Sequence, residues 1–206
     1  MPRPRSLTTA DLASAALAVI DRAGLSALTM RAVATELGMA TMALYRYVAD
    51  RDTLEALIVD HVLGEIEVTT PADADWRTRL ALLLERMRAA VSAHPAMAPL
   101  VPRHRHASAA ALRWMEATLA ALAEGGFRGR DRVIAQRTLV AFLLGFLENE
   151  HYGAIAGSGT AAIAALPAAD YPHLTETAAR AREITAAAEF GGGLEILLRG
   201  LESSRG

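Results

Sequence analysis

Apolar residues in this chain recur at helical spacing and never alternate as they would along a strand, and that period limits the fold more than any other feature. Between Thr8 and Gly24, the residues Leu12, Ala16, Val19 and Ala23 fall at i, i+4, i+7 and i+11, with Thr8 or Thr9 as a candidate N-cap. A second start comes at Thr29, with Met30, Val33, Ala34 and Leu37 on one face and Gly38 placed just beyond the last turn. Thr41 to Val48 reads as a short third helix, in which Leu44, Val48 and Ala40 point inward and Met39 pins the turn. Asp50 or Asp52 caps a fourth helix through Leu54, Leu57, Ile58 and Val62. After a break at 68–75 the spacing predicts helices near 76–93, 107–123 and 130–152, with the His94-Pro95 step as a break. A loose stretch over 153–172 precedes two last helices near 174–188 and 191–203. No fixed-period repeat is present. The expected fold is all-α, with a small head at 1–48 joined by a connecting helix to a helical body at 49–206.

Composition agrees. Apolar residues make up 52% of the chain and aromatics only 5%, so Ala and Leu dominate, a balance that favours helices over sheets. The absence of cysteine excludes disulfides, Cys-based zinc sites and thiol redox chemistry. The best apolar run, "LVAFLLGFL" at 139–147, is less than half of the roughly 20 residues a membrane span needs. The start "MPRPRS" is basic, but Asp11 and Asp21 interrupt the next stretch, so no secretory signal is expected. A cytoplasmic protein without membrane contact is the expectation.

Charge is uneven along the chain. Residues 1–51 hold six Arg against four acidic groups, while the whole chain carries a net −2, so a modestly basic head sits on an acidic body. Such a chain can offer one end to a polyanion, though random scatter explains the count equally well. Every basic residue is Arg.

Two short helices separated by a glycine turn and backed by a third make a helix-turn-helix. Its outer face has the residue types for a major groove. Arg46 can offer a guanidinium fork to guanine or to a phosphate, and Met42 and Ala43 can touch thymine methyls. Tyr45 and Tyr47 can donate to phosphates, with Thr41 opening the same helix. Thr29 and Arg31 can grip the backbone at the start of the preceding helix, and Arg3 and Arg5 lie on an arm that can reach a neighbouring groove. The bland alternative is that these Tyr and Met side chains pack against the body.

The stretch "LTMRAVATELGMATMALYRYVADRDTLEALI" (28–58) resembles the N-terminal domain of the TetR family of transcriptional regulators. That family's pattern pairs a Thr-initiated helix with Leu-Gly-Val-Ser and then Leu-Tyr-x-His-Phe-x-x-Lys-x-x-Leu. Leu37, Gly38, Leu44, Tyr45 and Leu54 match, and Arg51 replaces the Lys that usually holds a phosphate. Met39, Ala40, Tyr47 and Val48 depart from Val, the capping Ser, His and Phe. The segments "TLVAFLLGFLENEHY" (138–152), "YPHLTETAARA" (171–181) and "EFGGGLEILLRGLE" (189–202) are similar to the regulatory domain of the family's tetracycline-binding members.

The resemblance implies a homodimeric repressor of a palindromic double-stranded DNA operator, released by a small-molecule effector. The helix bearing Leu139, Phe142, Leu143, Phe146 and Leu147, with the last helix bearing Leu194, Leu197, Leu198 and Leu201, resembles the pair that builds the dimer bundle; an ordinary internal core is the alternative. Pocket walls are expected from Met87, Trp114, Phe142 and Phe146, with His104 and Glu150 as polar contacts. Glu67 and Val101 stand where the tetracycline-binding members place drug- and metal-contacting histidines, and Leu83 stands where they place an amide contact. A one-turn shift would bring His104 into reach, but the substitutions argue for an apolar or aromatic effector, with no cofactor and no metal.

The remaining motifs carry little. His104 and His106 stand at i and i+2 and point apart on a helix, and "NEHY" (149–152) lacks the order of a zinc protease. "GSG" (157–159) and "GGG" (191–193) lack the context of a nucleophile elbow or phosphate loop, and the second reads as room for a close helix start. Two other classes stay open: a small helical enzyme using His104, His106 and Glu150, and a helical module whose third helix docks in a protein groove.

Overall fold

The computed structural model describes residues 7–153 and 155–203, and among them every regular element is helical. The chain packs as two compact units: the segment ending at Thr69 with Arg86–Ala117, and Thr70–Glu85 with Thr118–Gly206.

In the first unit, α1 (Thr9–Ala23) opens on a capping box. Thr8 Oγ1 accepts from the Asp11 N–H at 3.2 Å while Asp11 Oδ2 accepts from the Thr8 N–H at 2.9 Å. Leu12, Ala16 and Val19 are buried as the spacing predicts, but Ala23, in the last turn, is exposed. α2 (Met30–Glu36) is capped by Thr29, whose hydroxyl accepts from the Ala32 N–H at 3.1 Å. It ends in a Schellman motif: the Gly38 N–H donates to the Thr35 carbonyl, the Met39 N–H donates to that of Ala34, and Gly38 holds φ +66°.

α3 spans only Thr41–Leu44, shorter than the expected 41–48. Its N-cap is Ala40, which is exposed and offers no side-chain acceptor, so the first N–H groups gain no cap. At the far end the chain tightens, with the Arg46 N–H on the Ala43 carbonyl and the Tyr47 N–H on that of Leu44. α4 (Arg51–Gly64) starts from Asp50, whose Oδ1 accepts from the Thr53 N–H at 2.8 Å. It buries Leu54, Ile58, Val59, Val62 and Leu63, and Glu55 with them.

α5 (Trp76–Ser92) is followed, past His94, by a 3₁₀ helix over Pro95–Leu100 and the short α6 (Val101–His104). The His-Pro step therefore ends α5 without ending helicity. Proline lacks only an N–H that the first turn of a new helix would leave unpaired anyway. α7 (Ala109–Glu124) begins where Ser108 Oγ accepts from the Ala111 N–H and donates to Asp60 Oδ1 at 2.7 Å, tying it to α4.

The second unit holds α8 (Gly129–Tyr152), α9 (Ser158–Ala164), α10 (Pro172–Ala181) and α11 (Ala186–Ser203). α9 lies inside the stretch expected to be loose; it buries no residue, so no apolar stripe announces it. α11 begins five residues before the expected 191 and carries the glycine run in its interior. Within the run only Gly193 gives clearance, Gly191 and Gly192 having nothing within 4 Å of a would-be Cβ, and none of the three starts the helix. A Cβ on Gly193 would stand 2.9 Å from Phe142 Cε2. Phe142, Phe146 and Phe190 pack together there, with the Phe142 and Phe190 rings stacked at 5.2 Å between centroids. Elsewhere in this unit Trp76 meets Phe127 edge to face at 5.4 Å, and Arg77 bridges Glu195 and Glu202 of α11. Among the described residues no helix is long and apolar enough to cross a membrane.

Candidate nucleic-acid interface

The face built by α3 and the turn after it is braced from behind and bare in front. Leu44 and Val48 are buried, as are Ile20, Leu28, Val33 and Ala34 of the same unit. On the other side Met42 is 77% exposed, Tyr45 47% and Tyr47 44%, and Arg46 is exposed as well. Burying the large apolar surface of Met and Tyr is ordinarily favourable, so leaving three such side chains together in water needs a reason. The Arg46 side chain has no hydrogen bond or ion pair to another described residue, and its charge is therefore available to an external anion. Thr41 and Ala43 are half-buried at the same helix.

At the start of α2, Thr29 is exposed but spends its hydroxyl oxygen on the cap, while Arg31 is exposed with its side chain unpaired among the described residues. Arg3 and Arg5 lie outside the described residues. Arg22 at the end of α1 bonds Glu36 of α2 at 2.6 Å, fixing the two scaffold helices together.

Arg51 is placed differently from the other candidates. Its Nε donates to Glu55 Oε1 at 2.8 Å and its Nη2 to the Leu25 carbonyl at 3.3 Å. Glu55 is 2% exposed, and its Oε2 also receives Arg103 Nη1 at 3.0 Å and lies 3.1 Å from His104 Nε2, both from α6. Burial alone would raise this carboxyl, but hydrogen bonds from Arg51 and His104 and the charges of Arg103 and Arg51 hold it below its ordinary 4.5. Sequence reasoning missed Glu55. The available signal was an acidic residue on the α4 face that also carries Val59 and Val62, four and seven positions on.

Asp52, Glu55 and His104 bring three ligand-type atoms within 4.8 Å of one another. This donor set does not suit a cation, because guanidiniums occupy both oxygens of Glu55 and would repel one.

The residues expected to line a pocket fall in both units. In the first unit Met87, Val101, His104 and Trp114 are buried, with His104 engaged by Glu55; His106 accepts from Arg105 Nε at 3.2 Å. In the second unit Leu83 and Phe146 are buried, and Phe142 and Glu150 are half-buried. Phe142 and Phe146 pack with each other and with Phe190, which the sequence did not single out. Glu150 acts on Glu189, whose carboxyl is raised first by partial desolvation and then by the Glu150 charge.

Comparison with known proteins agrees with this geometry. Residues 7–54 match the family described as "Bacterial regulatory proteins, tetR family", and residues 70–205 match "Tetracyclin repressor-like, C-terminal domain". An HTH-type transcriptional regulator of Saccharopolyspora erythraea is 31% identical over 178 residues, covering 84% of this chain and 75% of the relative. The HTH-type transcriptional repressor DrrR1 of Streptomyces coeruleorubidus is 30% identical over 154 residues, 73% of this chain and 56% of that protein. The Streptomyces coelicolor TetR family protein ActR, solved in complex with actinorhodin, superposes with a TM-score of 0.80 at 28% identity, over 97% of this chain and 99% of that one. These relatives regulate transcription and are not enzymes, which removes the enzyme reading built on His104, His106 and Glu150. With both family matches in chain order and the helix-turn-helix in place beneath the first, this chain belongs to the TetR family of bacterial transcriptional regulators.

Proposed function

We propose that the chain is a homodimeric repressor that binds a palindromic operator and is released by an apolar or aromatic small molecule. Residues 1–48 act as the DNA-binding head and 49–206 as the ligand-binding and dimerisation body, and the protein works in the cytoplasm. The observation that carries this reading is the bare outer face of α3 and the turn after it, with Met42, Tyr45, Arg46 and Tyr47 exposed over a buried Leu44 and Val48. Arg46 and Met42 meet base edges, with Ala43; Tyr45, Tyr47, Thr41, Thr29, Arg31 and Arg51 hold the backbone, and Arg5 extends the contact from the arm. A second copy supplies the other half-site, about 34–36 Å away for successive major grooves. Leu139, Leu143, Phe146, Leu147, Leu194 and Leu198, expected to build that bundle, are already buried within one chain, so support for a second copy comes from the outward Val133 and Ile134 of α8 and Ile196 of α11, 57%, 47% and 63% exposed. DrrR1, named a repressor, and ActR, solved with actinorhodin, support repression and ligand response.

Selection of bound duplexes from random DNA tests the head, and screening small molecules for release of the winner tests the body. On the selected duplex Arg46→Ala is expected to cost about 1–3 kcal/mol and to relax preference at one base position. Equal loss on every sequence would make Arg46 a phosphate contact instead. Failure to enrich any duplex would end the reading.

A further inference from the structure

We propose that Glu55, together with Arg103 and His104, sets how readily Arg51 leaves the protein surface for a DNA phosphate. The inference rests on the reading that Arg51 contacts the operator backbone. Glu55 is then a positioning residue, and α6 takes part in DNA affinity without touching DNA.

The geometry is a shared carboxylate. Oε1 of Glu55 holds Arg51 at 2.8 Å, while Oε2 holds Arg103 at 3.0 Å and His104 at 3.1 Å. The donors of α4 and α6 therefore bind different oxygens and do not exclude one another. Asp52, on the same turn of α4, stands 3.9 Å from both Arg103 and His104 and adds a second, exposed negative group. The attraction of one carboxylate for any one cation falls as other cations neutralise it, so what α6 supplies to Glu55 is subtracted from its hold on Arg51. A phosphate arriving at the first turn of α4 offers Arg51 a new anion. The transfer is favourable while Arg103 and His104 keep Glu55 paired, and it is opposed once they are gone, because it would strand a buried carboxylate. Arg51 and Arg103 are 46% and 57% exposed in their side chains, so either can be replaced without opening the core.

The test uses the full chain, the selected duplex and a scrambled duplex, titrated across a range of salt. Arg51→Ala is expected to bind both duplexes roughly 5- to 10-fold more weakly at about 0.1 M salt, with the salt slope flattened by about one. Arg103→Gln is expected to give a smaller loss in the same direction, and Arg103→Lys to restore wild-type binding. Glu55→Gln, which keeps the shape and removes the charge, is expected to bind at least as tightly as wild type. The double variant Glu55→Gln with Arg103→Gln is expected to behave as Glu55→Gln alone. Wild-type affinity and slope in Arg103→Gln would overturn the inference, as would weaker binding by Glu55→Gln folded to the wild-type melting temperature. A loss in Arg103→Gln that persists in full in the double variant would overturn it too, by making Arg103 a direct DNA contact. If Glu55→Gln does not fold, Arg51→Ala combined with Arg103→Gln decides instead: binding equal to Arg51→Ala alone supports the inference, and a further loss overturns it by making Arg103 a direct DNA contact. Unchanged binding by Arg51→Ala would instead remove the phosphate contact itself, and this inference with it.

Discussion

Glycine does one kind of work in the first compact unit and two in the second. In the first, Gly38 supplies a backbone sign: at φ +66° it lets two local hydrogen bonds close α2 and launch α3, and nothing lies within 4 Å of where its Cβ would be. In the second, Gly125 and Gly193 supply clearance. A Cβ on Gly125 would lie 2.8 Å from Trp76 Cδ2, and one on Gly193 2.9 Å from Phe142. The second unit uses the backbone sign too, at Gly126, where φ +85° lets the Gly126 N–H reach the Ala123 carbonyl and the Phe127 N–H that of Leu122, so what sets it apart is the added close approach of distant side chains.

Substitution separates the two. Gly125→Ala is expected to have the largest effect, about 1–3 kcal/mol of overpacking, because the ring root of Trp76 cannot turn aside without leaving Phe127. A calorimetric melt should show this, and an unchanged melting temperature would remove the clearance argument. Gly38→Ala should cost about 1–2 kcal/mol through the left-handed backbone alone, and Gly38→Asn less, since Asn tolerates that region. The same pair at position 125 should run the other way, with Asn worse than Ala because it is larger. Thr29→Ala removes one cap and should cost about 1 kcal/mol, read in urea titration, with operator binding falling alongside if the hydroxyl also meets DNA.

The smallest effect concerns two carboxyls shifted in opposite directions. Glu55 is lowered, so the stability it contributes is complete above its ordinary 4.5 and is lost as pH falls through its folded value. Glu189, exposed on α11 but partly desolvated, is raised by that desolvation and then by the Glu150 charge, so its ionisation costs stability as pH rises past its ordinary range, and the cost disappears on acidification. Glu189→Gln is therefore expected to raise the melting temperature slightly at pH 7 and to lose that advantage in acid. A lower melting temperature at pH 7 would reverse the assignment.

The same division explains what could be read in advance. α1, α2 and α4 announce themselves through Thr8, Thr29 and Asp50 and through apolar stripes, and each cap is made as the sequence implies. The outward set on α3 was legible because Leu44 and Val48 mark its inner side. α9 was not, since a helix that buries nothing leaves no stripe, and α6 was hidden behind a proline pair that reads as a stop. The length of α11 was obscured by three glycines, of which one, Gly193, answers to a phenylalanine some fifty positions earlier. Glu55 belongs with these: its partners Arg103 and His104 come from a distant part of the chain, and no local spacing connects them.

The division of labour across α3 has an evolutionary corollary. None of Met42, Tyr45, Arg46 or Tyr47 belongs to the buried core, so each can be exchanged without touching what keeps the head folded. Target preference can thus drift, or be rewritten by an engineer, one outward side chain at a time while the scaffold stands still.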